Sequence, residues 1–298
     1  MRIGVTVPNF GPAATVDSLR AWAALVEDAG FDLLMVGDHV AATPDVTAAY
    51  PGPFWEPLTL LGYLAGVTRR VELGTTVLVV PYRDPLQTAR SLAGLDQLSD
   101  GRLIVGVGIG WARSEFAALG IDPGRRGEIT DEYLGAMLAL WSDDVVSFAG
   151  RHVAFTDVDT RPRPHRRPHP PLWIGGNGDA ARRRAVRWGQ AWHPLRVPAG
   201  WLRAEGLPAL RRAADEAGRP VPALAPRIVL HPSAEHRPDA DRLAGEGRPD
   251  QIRADLDELR DLGATHVLLD THRDATTVGH DHAAERAVLE EAAVWLLG

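Results

Sequence analysis

Short runs of β-branched and aliphatic residues alternate with longer stretches of helical periodicity from one end of the chain to the other. Such a pattern restricts a chain to parallel strands joined by helices, because a crossover to a parallel neighbour needs about a dozen residues and a helix fills that length. Eight units are readable. Strands are expected at Ile3 to Pro8, Asp32 to Gly37, Val71 to Val77, Leu103 to Val107, Leu172 to Gly175, Ala191 to Trp192, Arg227 to Leu230 and His266 to Asp270. The length of 298 residues, 45% of them apolar, suffices for a full core and suits one barrel or two smaller domains. The eight units favour one α/β domain over residues 1–298, a (β/α)8 TIM barrel with insertions.

Between the strands, apolar residues recur at helical spacing, as in Val16, Leu19, Trp22 and Val26, then Ile129, Tyr133, Met137 and Trp141, then Ile252, Leu256, Leu259 and Leu262. Each set makes one stripe for packing on a barrel wall. Gly30, Gly189 and Gly263 stand where a left-handed residue would end a helix before the next strand. Glu56-Pro57 and Asp84-Pro85 mark helix starts. Three segments exceed a minimal barrel. Residues 40–56 and 231–248 follow strands and are expected to form lids over the mouth, where barrel chemistry takes place. Residues 142–171 read as a hairpin around Ala149-Gly150 followed by a stiff, arginine-rich run at 161–171.

A net charge of −7 disfavours a nucleic-acid partner, which would require a positive surface. No stretch is long and apolar enough for a membrane span, so a cytoplasmic protein with a small-molecule substrate is expected. Cysteine is absent, and all 32 basic residues are arginine. Disulfides, cysteine nucleophiles, Schiff bases and the lysine of a phosphate-binding loop are therefore excluded. His280 and His282, or His165 and His169, look superficially like ligands, but neither pair has a second half at a strand end, and no metal is expected.

Four clusters carry chemical information. Asp38-His39 follows the second strand, where a histidine faces the mouth and can exchange a proton near neutral pH. Gly74, Thr75 and Thr76 interrupt a strong strand, as at a bulge or a close approach to a flat ring. Gly106, Gly108 and Gly110 precede Trp111, Ser114 and Glu115 with spacing GxGxGW, which departs from the dinucleotide fingerprint GxGxxG. Gly175, Gly176, Asn177 and Gly178 join a strand to a helix N-terminus, where main-chain amides can bind phosphate.

Together these clusters resemble the superfamily of luciferase-like monooxygenases and coenzyme F420-dependent oxidoreductases. The most specific pieces are GFDLLMVGDHV, LDQLSDGRLIVGVGIGWARSEFAALG, RRGEITDEYL and PPLWIGG, in that order. Within that superfamily the chain looks most like the actinobacterial F420-dependent group. The resemblance implies a cofactor ring at the mouth, its phosphate held at Gly175 to Gly178, and a strained peptide, commonly cis, at Gly74 to Thr76. It implies His39 near the reactive face, with Asp38 and Glu115 as companion catalytic residues. Cofactor contacts are expected from Gly74, Thr75, Thr76, Gly108, Gly110, Trp111, Gly175, Gly176, Asn177 and Gly178. Arg182, Arg183 or the arginines of 161–167 would meet the anionic tail of F420.

Hydride transfer between F420 and a small organic substrate is the function so implied, in a homodimer. The alternative is an FMN-dependent monooxygenase inserting one oxygen atom, and a further reading is a carrier that binds the cofactor without turnover. Trp111 stands where the sugar-phosphate dehydrogenase branch has an acid, which disfavours that substrate. Gly189-Gln190-Ala191-Trp192 replaces the GDGW usual in relatives, which removes an acid from the sixth strand. Tyr50, Trp55 and Trp111 suggest an apolar side to the pocket.

Overall fold

The computed structural model describes residues 1–272 and 282–297. Among them, eight parallel strands form a barrel wall: β1 (Arg2–Val7), β2 (Leu33–Val36), β3 (Glu72–Thr75), β4 (Leu103–Gly108), β5 (Leu172–Gly175), β6 (Ala191–His193), β7 (Arg227–Val229) and β8 (His266–Asp270). Their order around the sheet is β6, β5, β4, β3, β2, β1, β8, β7. The wall closes where the Arg227 amide donates to the Pro194 carbonyl at 2.8 Å and the Ala225 amide to that of Trp192 at 2.9 Å. Between the strands run α1 (Val16–Ala29), α2 (Pro57–Val67), α3 (Pro85–Leu98), α4 (Arg126–Ser142), α5 (Asp179–Trp188), α6 (Leu207–Ala217) and α7 (Pro249–Asp261), with α8 (His282–Leu297) after β8. None is long and apolar enough to cross a membrane.

The strand sequences are apolar on both faces because both are buried. Leu33, Met35, Ile104, Trp173, Ala191, Ala225 and Leu268 meet inside the barrel and plug its foot. The alternate set, including Leu34, Val36, Leu73 and Val105, packs outward with Trp22, Leu61 and Leu92. The plug leaves no room for side chains at two neighbouring positions. A Cβ on Gly106 would lie 2.0 Å from the Thr75 carbonyl oxygen, and one on Gly74 would lie 2.9 Å from the Met35 Cε. Gly74 therefore serves the close packing of the barrel's own chain, where the Ile104 carbonyl oxygen would lie closer still, at 2.6 Å.

The helix starts follow the sequence. Glu56 accepts from the Thr59 amide at 2.7 Å and Asp84 from those of Leu86 and Gln87 at 2.9 and 3.1 Å, each just before a proline. Gly30 and Gly263 are left-handed, with φ of 93° and 85°. Gly189 is not, with φ of −92°. It is small because a Cβ would lie 2.9 Å from Ile174, where α5 meets the wall. Gln190 beside it accepts from the Leu172 amide at 2.7 Å, so this departure from GDGW lies at the foot of β5 and not at the mouth.

The insertions take different places. Val145–Ala149 and Ala154–Asp159 form the expected antiparallel hairpin. The arginine-rich run after it lies at the foot, where Arg166 pairs with Glu72 at 3.0 Å. That places it opposite the mouth and removes it from any contact with a cofactor tail there. Residues 40–56 include a short helix, Pro44–Ala49, tied to Arg113–Ala118 through Asp45 and Ser114. Residues 231–248 are pinned outside the wall by Arg242, which grips Asp255 at 2.6 and 2.8 Å. His280 lies outside the described residues. His169 stacks on Trp141, and among the described residues no group of three or more His, Asp or Glu could hold a metal ion.

Candidate functional site

A cavity of about 340 Å³ opens at the C-terminal ends of the strands. Thr76, Val77, Gly108 and Gly175 line one side, and Phe10, His39, Tyr50, Phe54 and Trp111 the other. The Val77 side chain lies over two of the glycines: a Cβ at Gly108 would come within 2.5 Å of it, and one at Gly175 within 2.8 Å. The peptide bond before Val77 is cis.

His39 is buried at the start of the loop after β2, and its Nδ1 lies 2.7 Å from Oε2 of the fully buried Glu115. The other oxygen, Oε1, accepts from the amides of Val40 and Ala41 at 2.5 and 3.0 Å. Burial works to raise the Glu115 carboxyl, but His39 and these amides outweigh it and hold the group below the ordinary carboxylate range. An ionised Glu115 accepts only, so Nδ1 carries the hydrogen and Nε2 is left to the cavity. This is the arrangement of a proton-transferring histidine oriented by a carboxylate.

Asp38, next to His39, is engaged differently. Arg83 holds it in a fork at 2.7 and 2.8 Å, and the Val79 amide adds a bond of 2.8 Å. Burial pushes its carboxyl up, against the pull of Arg83, and the bidentate geometry is that of an ionised pair. With both oxygens engaged, Asp38 anchors the loop that presents His39 and is not placed to exchange a proton with a substrate.

A second buried network sits across the cavity. Arg227 donates to Asp270 through Nη2 at 2.6 Å and Nε at 3.1 Å, and through Nη1 to the Thr76 carbonyl at 3.0 Å. Asp270 also accepts from Thr6 and from the His272 amide. Burial would raise Asp270, but Arg227 and then Arg196 bring it below its ordinary value. The Thr76 hydroxyl lies 2.9 Å from Nε2 of His193, whose Nδ1 meets the Ala225 carbonyl at 2.5 Å. A carbonyl only accepts, so His193 is protonated at Nδ1 and Thr76 donates to Nε2.

At the rim, Gly176 has φ of 117° and turns the chain into α5. The Asn177 side chain bonds the Leu195 amide and carbonyl at 2.9 and 2.8 Å, and Arg182 folds back onto the Asn177 carbonyl at 2.5 Å. Asn177, Gly178, Asp179 and Ala180 are exposed at the start of α5, where the first amides of a helix lack intrahelical acceptors. A Cβ at Gly178 would meet nothing within 4 Å, so the main chain there is open to an approaching group.

The family model described as luciferase-like monooxygenase matches residues 1–242. The chain belongs to that family. An uncharacterized protein of Mycobacterium tuberculosis is 36% identical over 170 residues, 53% of this chain and 60% of that protein. The FMNH2-dependent dimethylsulfone monooxygenase of Pseudomonas putida is 31% identical over 176 residues, 58% of this chain and 47% of that enzyme. The chain thus spans about half to 60% of the length of these curated relatives. Among solved structures, an F420-dependent secondary alcohol dehydrogenase superposes with a TM-score of 0.79 at 18% identity, covering 98% of both chains.

In this luciferase-like barrel, the residues singled out from the sequence divide into two groups. Thr76, Gly108, Gly110, Trp111, Gly175 and Gly176 line the cavity with His39. Gly74 and Thr75 do not: Gly74 faces the plug, and the Thr75 hydroxyl is bonded to the Gly106 carbonyl at 2.6 Å. The cis bond follows Thr76, at the end of the stretch where it was expected. Asn177 closes the turn with its side chain and offers only its main chain. Trp55 points away, donating to the Ala14 carbonyl at 2.6 Å, and Phe54 takes the place expected for it. Among the described residues the 231–248 segment contributes no lining residue, and Thr271 and His272 after β8 stand there instead. Arg183 lies in an outer groove with Arg187 and Arg219, away from the cavity.

His193, 1% exposed, ties this site to stability. Burial, with Arg227 nearby, outweighs the Ala225 carbonyl and pushes its pKa from 6.5 down to about 4. Between those values the unfolded chain takes up a proton that the folded one refuses. Stability is therefore complete above pH 6.5 and declines as the pH falls toward 4. This one group contributes about 2 to 3 kcal/mol of loss between pH 7.5 and 4.5. Urea unfolding of His193→Gln at both pH values should show a loss smaller by that amount, and an unchanged slope would contradict the assignment.

Proposed function

We propose that the protein is an F420-dependent oxidoreductase that moves a hydride between the deazaflavin and a secondary alcohol or ketone. The observation that carries this reading is the His39–Glu115 pair, with one imidazole nitrogen fixed by a buried carboxylate and the other turned to the cavity. The cavity fits a flat ring. Val77 supplies an apolar surface over Gly108 and Gly175, and the open amides at the start of α5 suit a phosphate. When bound, the deazaflavin supplies a carbon centre that accepts or releases a hydride. The 0.79 TM-score match to an F420-dependent secondary alcohol dehydrogenase agrees with that use of the fold.

The protein's own groups supply the proton chemistry. In alcohol oxidation His39 Nε2 takes the hydroxyl proton as the hydride leaves the same carbon, and Glu115 stabilises the imidazolium so formed. In ketone reduction the proton travels back from Nε2 to the carbonyl oxygen. Asp38 and Arg83 hold the loop, and the rings of Tyr50, Phe54 and Trp111 exclude water from around His39.

Fluorescence titration of the purified protein with both cofactors tests the assignment, with F420 expected to bind at least about tenfold more tightly than FMN. Tighter FMN binding would overturn it in favour of oxygen insertion, the activity class of the 31% identical sulfone monooxygenase.

A further inference from the structure

Three rings surround His39. The centroids of Phe54, Tyr50 and Trp111 lie 5.2, 5.3 and 5.6 Å from that of the imidazole. Phe10 extends the group, 5.0 Å from Tyr50 and 5.5 Å from Phe54. These side chains come from the loop after β1, residues 40–56 and the loop after β4, so three separate parts of the chain build one aromatic group beside that imidazole.

The charged pairs lining the same cavity, together with Asn9, Thr6 and Thr271, are already engaged by the protein. Asp38 is held by Arg83 and Arg227 by Asp270. Asn9 donates through its amide nitrogen to the carbonyls of Gly37 and Trp55 at 3.0 and 3.1 Å and accepts from the Gly37 amide. The Thr6 hydroxyl donates to Asp270 and that of Thr271 to Glu285. A charged substrate would enter without a counterion of its own and leave its solvation behind, which is costly in a low-dielectric pocket. A polyol would find few partners for its hydroxyls.

We infer that the substrate is an uncharged, hydrocarbon-rich molecule with a single secondary alcohol or ketone, preferably cyclic, whose carbon body lies against Tyr50, Phe54 and Trp111. The functional carbon must reach His39 Nε2, and three rings pack against that imidazole, so the groups beside the carbon meet aromatic carbon. Trp111, 52% exposed, stands at the entrance and is covered when such a substrate binds. The inference deepens the proposed function and rests on His39 as the group that meets the substrate oxygen.

Calorimetric titration of the cofactor-free protein with three probes tests it: cyclohexanone, acetone and 4-oxocyclohexanecarboxylate. Cyclohexanone is expected to bind at least about tenfold more tightly than either of the others. Trp111→Ala should remove most of the advantage over acetone and Trp111→Phe should keep it, with Tyr50→Ala as an independent second variant. Equal or tighter binding of the carboxylate overturns the inference, as does an advantage that survives both alanine variants. Because no cofactor is present, failure of F420 to bind would refute the proposed function and leave this result standing.

Discussion

His39→Gln is expected to slow hydride transfer by about 100- to 10,000-fold while the Kd for the cofactor changes less than about threefold. The two effects separate because the imidazole and the amides at the start of α5 are on different parts of the mouth. Stopped-flow absorbance of the deazaflavin reads the first, and fluorescence titration the second. Glu115→Gln makes the sharper test. Its carbonyl oxygen can still accept from the Val40 and Ala41 amides, which turns the new NH2 group toward His39 Nδ1. That nitrogen must then accept, the ring hydrogen moves to Nε2, and the lone pair needed for an alcohol proton is lost. Alcohol oxidation should fall by about 100-fold or more with the cofactor still bound. Wild-type rates in both variants would remove His39 from the chemistry.

The elements of this site were legible in the sequence to the extent that they are local. A histidine after an apolar strand, a glycine-rich turn before a helix, and prolines behind Glu56 and Asp84 each declare themselves within a few residues. Even the cis bond falls at the end of the stretch where the family resemblance put it. Relationships across the barrel were not legible, because they depend on how it closes. Glu115 could be named as a mouth residue, but its bond to His39 joins positions 76 apart, and Thr76 meets His193 across 117. Arg227 and Asp270 went unnoticed although a signal was present. Each is a charged residue at the end of an otherwise apolar strand, and a charge in a barrel wall requires a partner. Asp38 shows the reverse: its type and position suit catalysis, and only the fold shows Arg83, 45 positions on, gripping it. Gly74 suggests space for a ligand, and the space beside it is filled by the Ile104 carbonyl and Met35.

Arg227→Met should destabilise the protein by about 3–5 kcal/mol, because it leaves the carboxylate of Asp270, 1% exposed, without its counterion. Arg227 sits level with Leu268 in the register and reaches toward the mouth to meet Asp270 two residues on, so methionine can fill its stem but not its charge. Adding Asp270→Asn removes the stranded charge and keeps an oxygen for Thr6 and the His272 amide. Most of the loss should therefore return in the double variant, with a coupling of about 2 kcal/mol in a urea-unfolding cycle. The same substitution takes from the Thr76 carbonyl its donor at 3.0 Å, in the residue that carries Val77 over Gly108 and Gly175. Cofactor Kd should rise about tenfold in Arg227→Met, and it should stay high in the double variant, which restores charge balance but not that hydrogen bond. A single-variant loss below about 1 kcal/mol would mean that Asp270 is solvated or neutral. Recovery of cofactor affinity along with stability would mean that the bond to Thr76 is incidental.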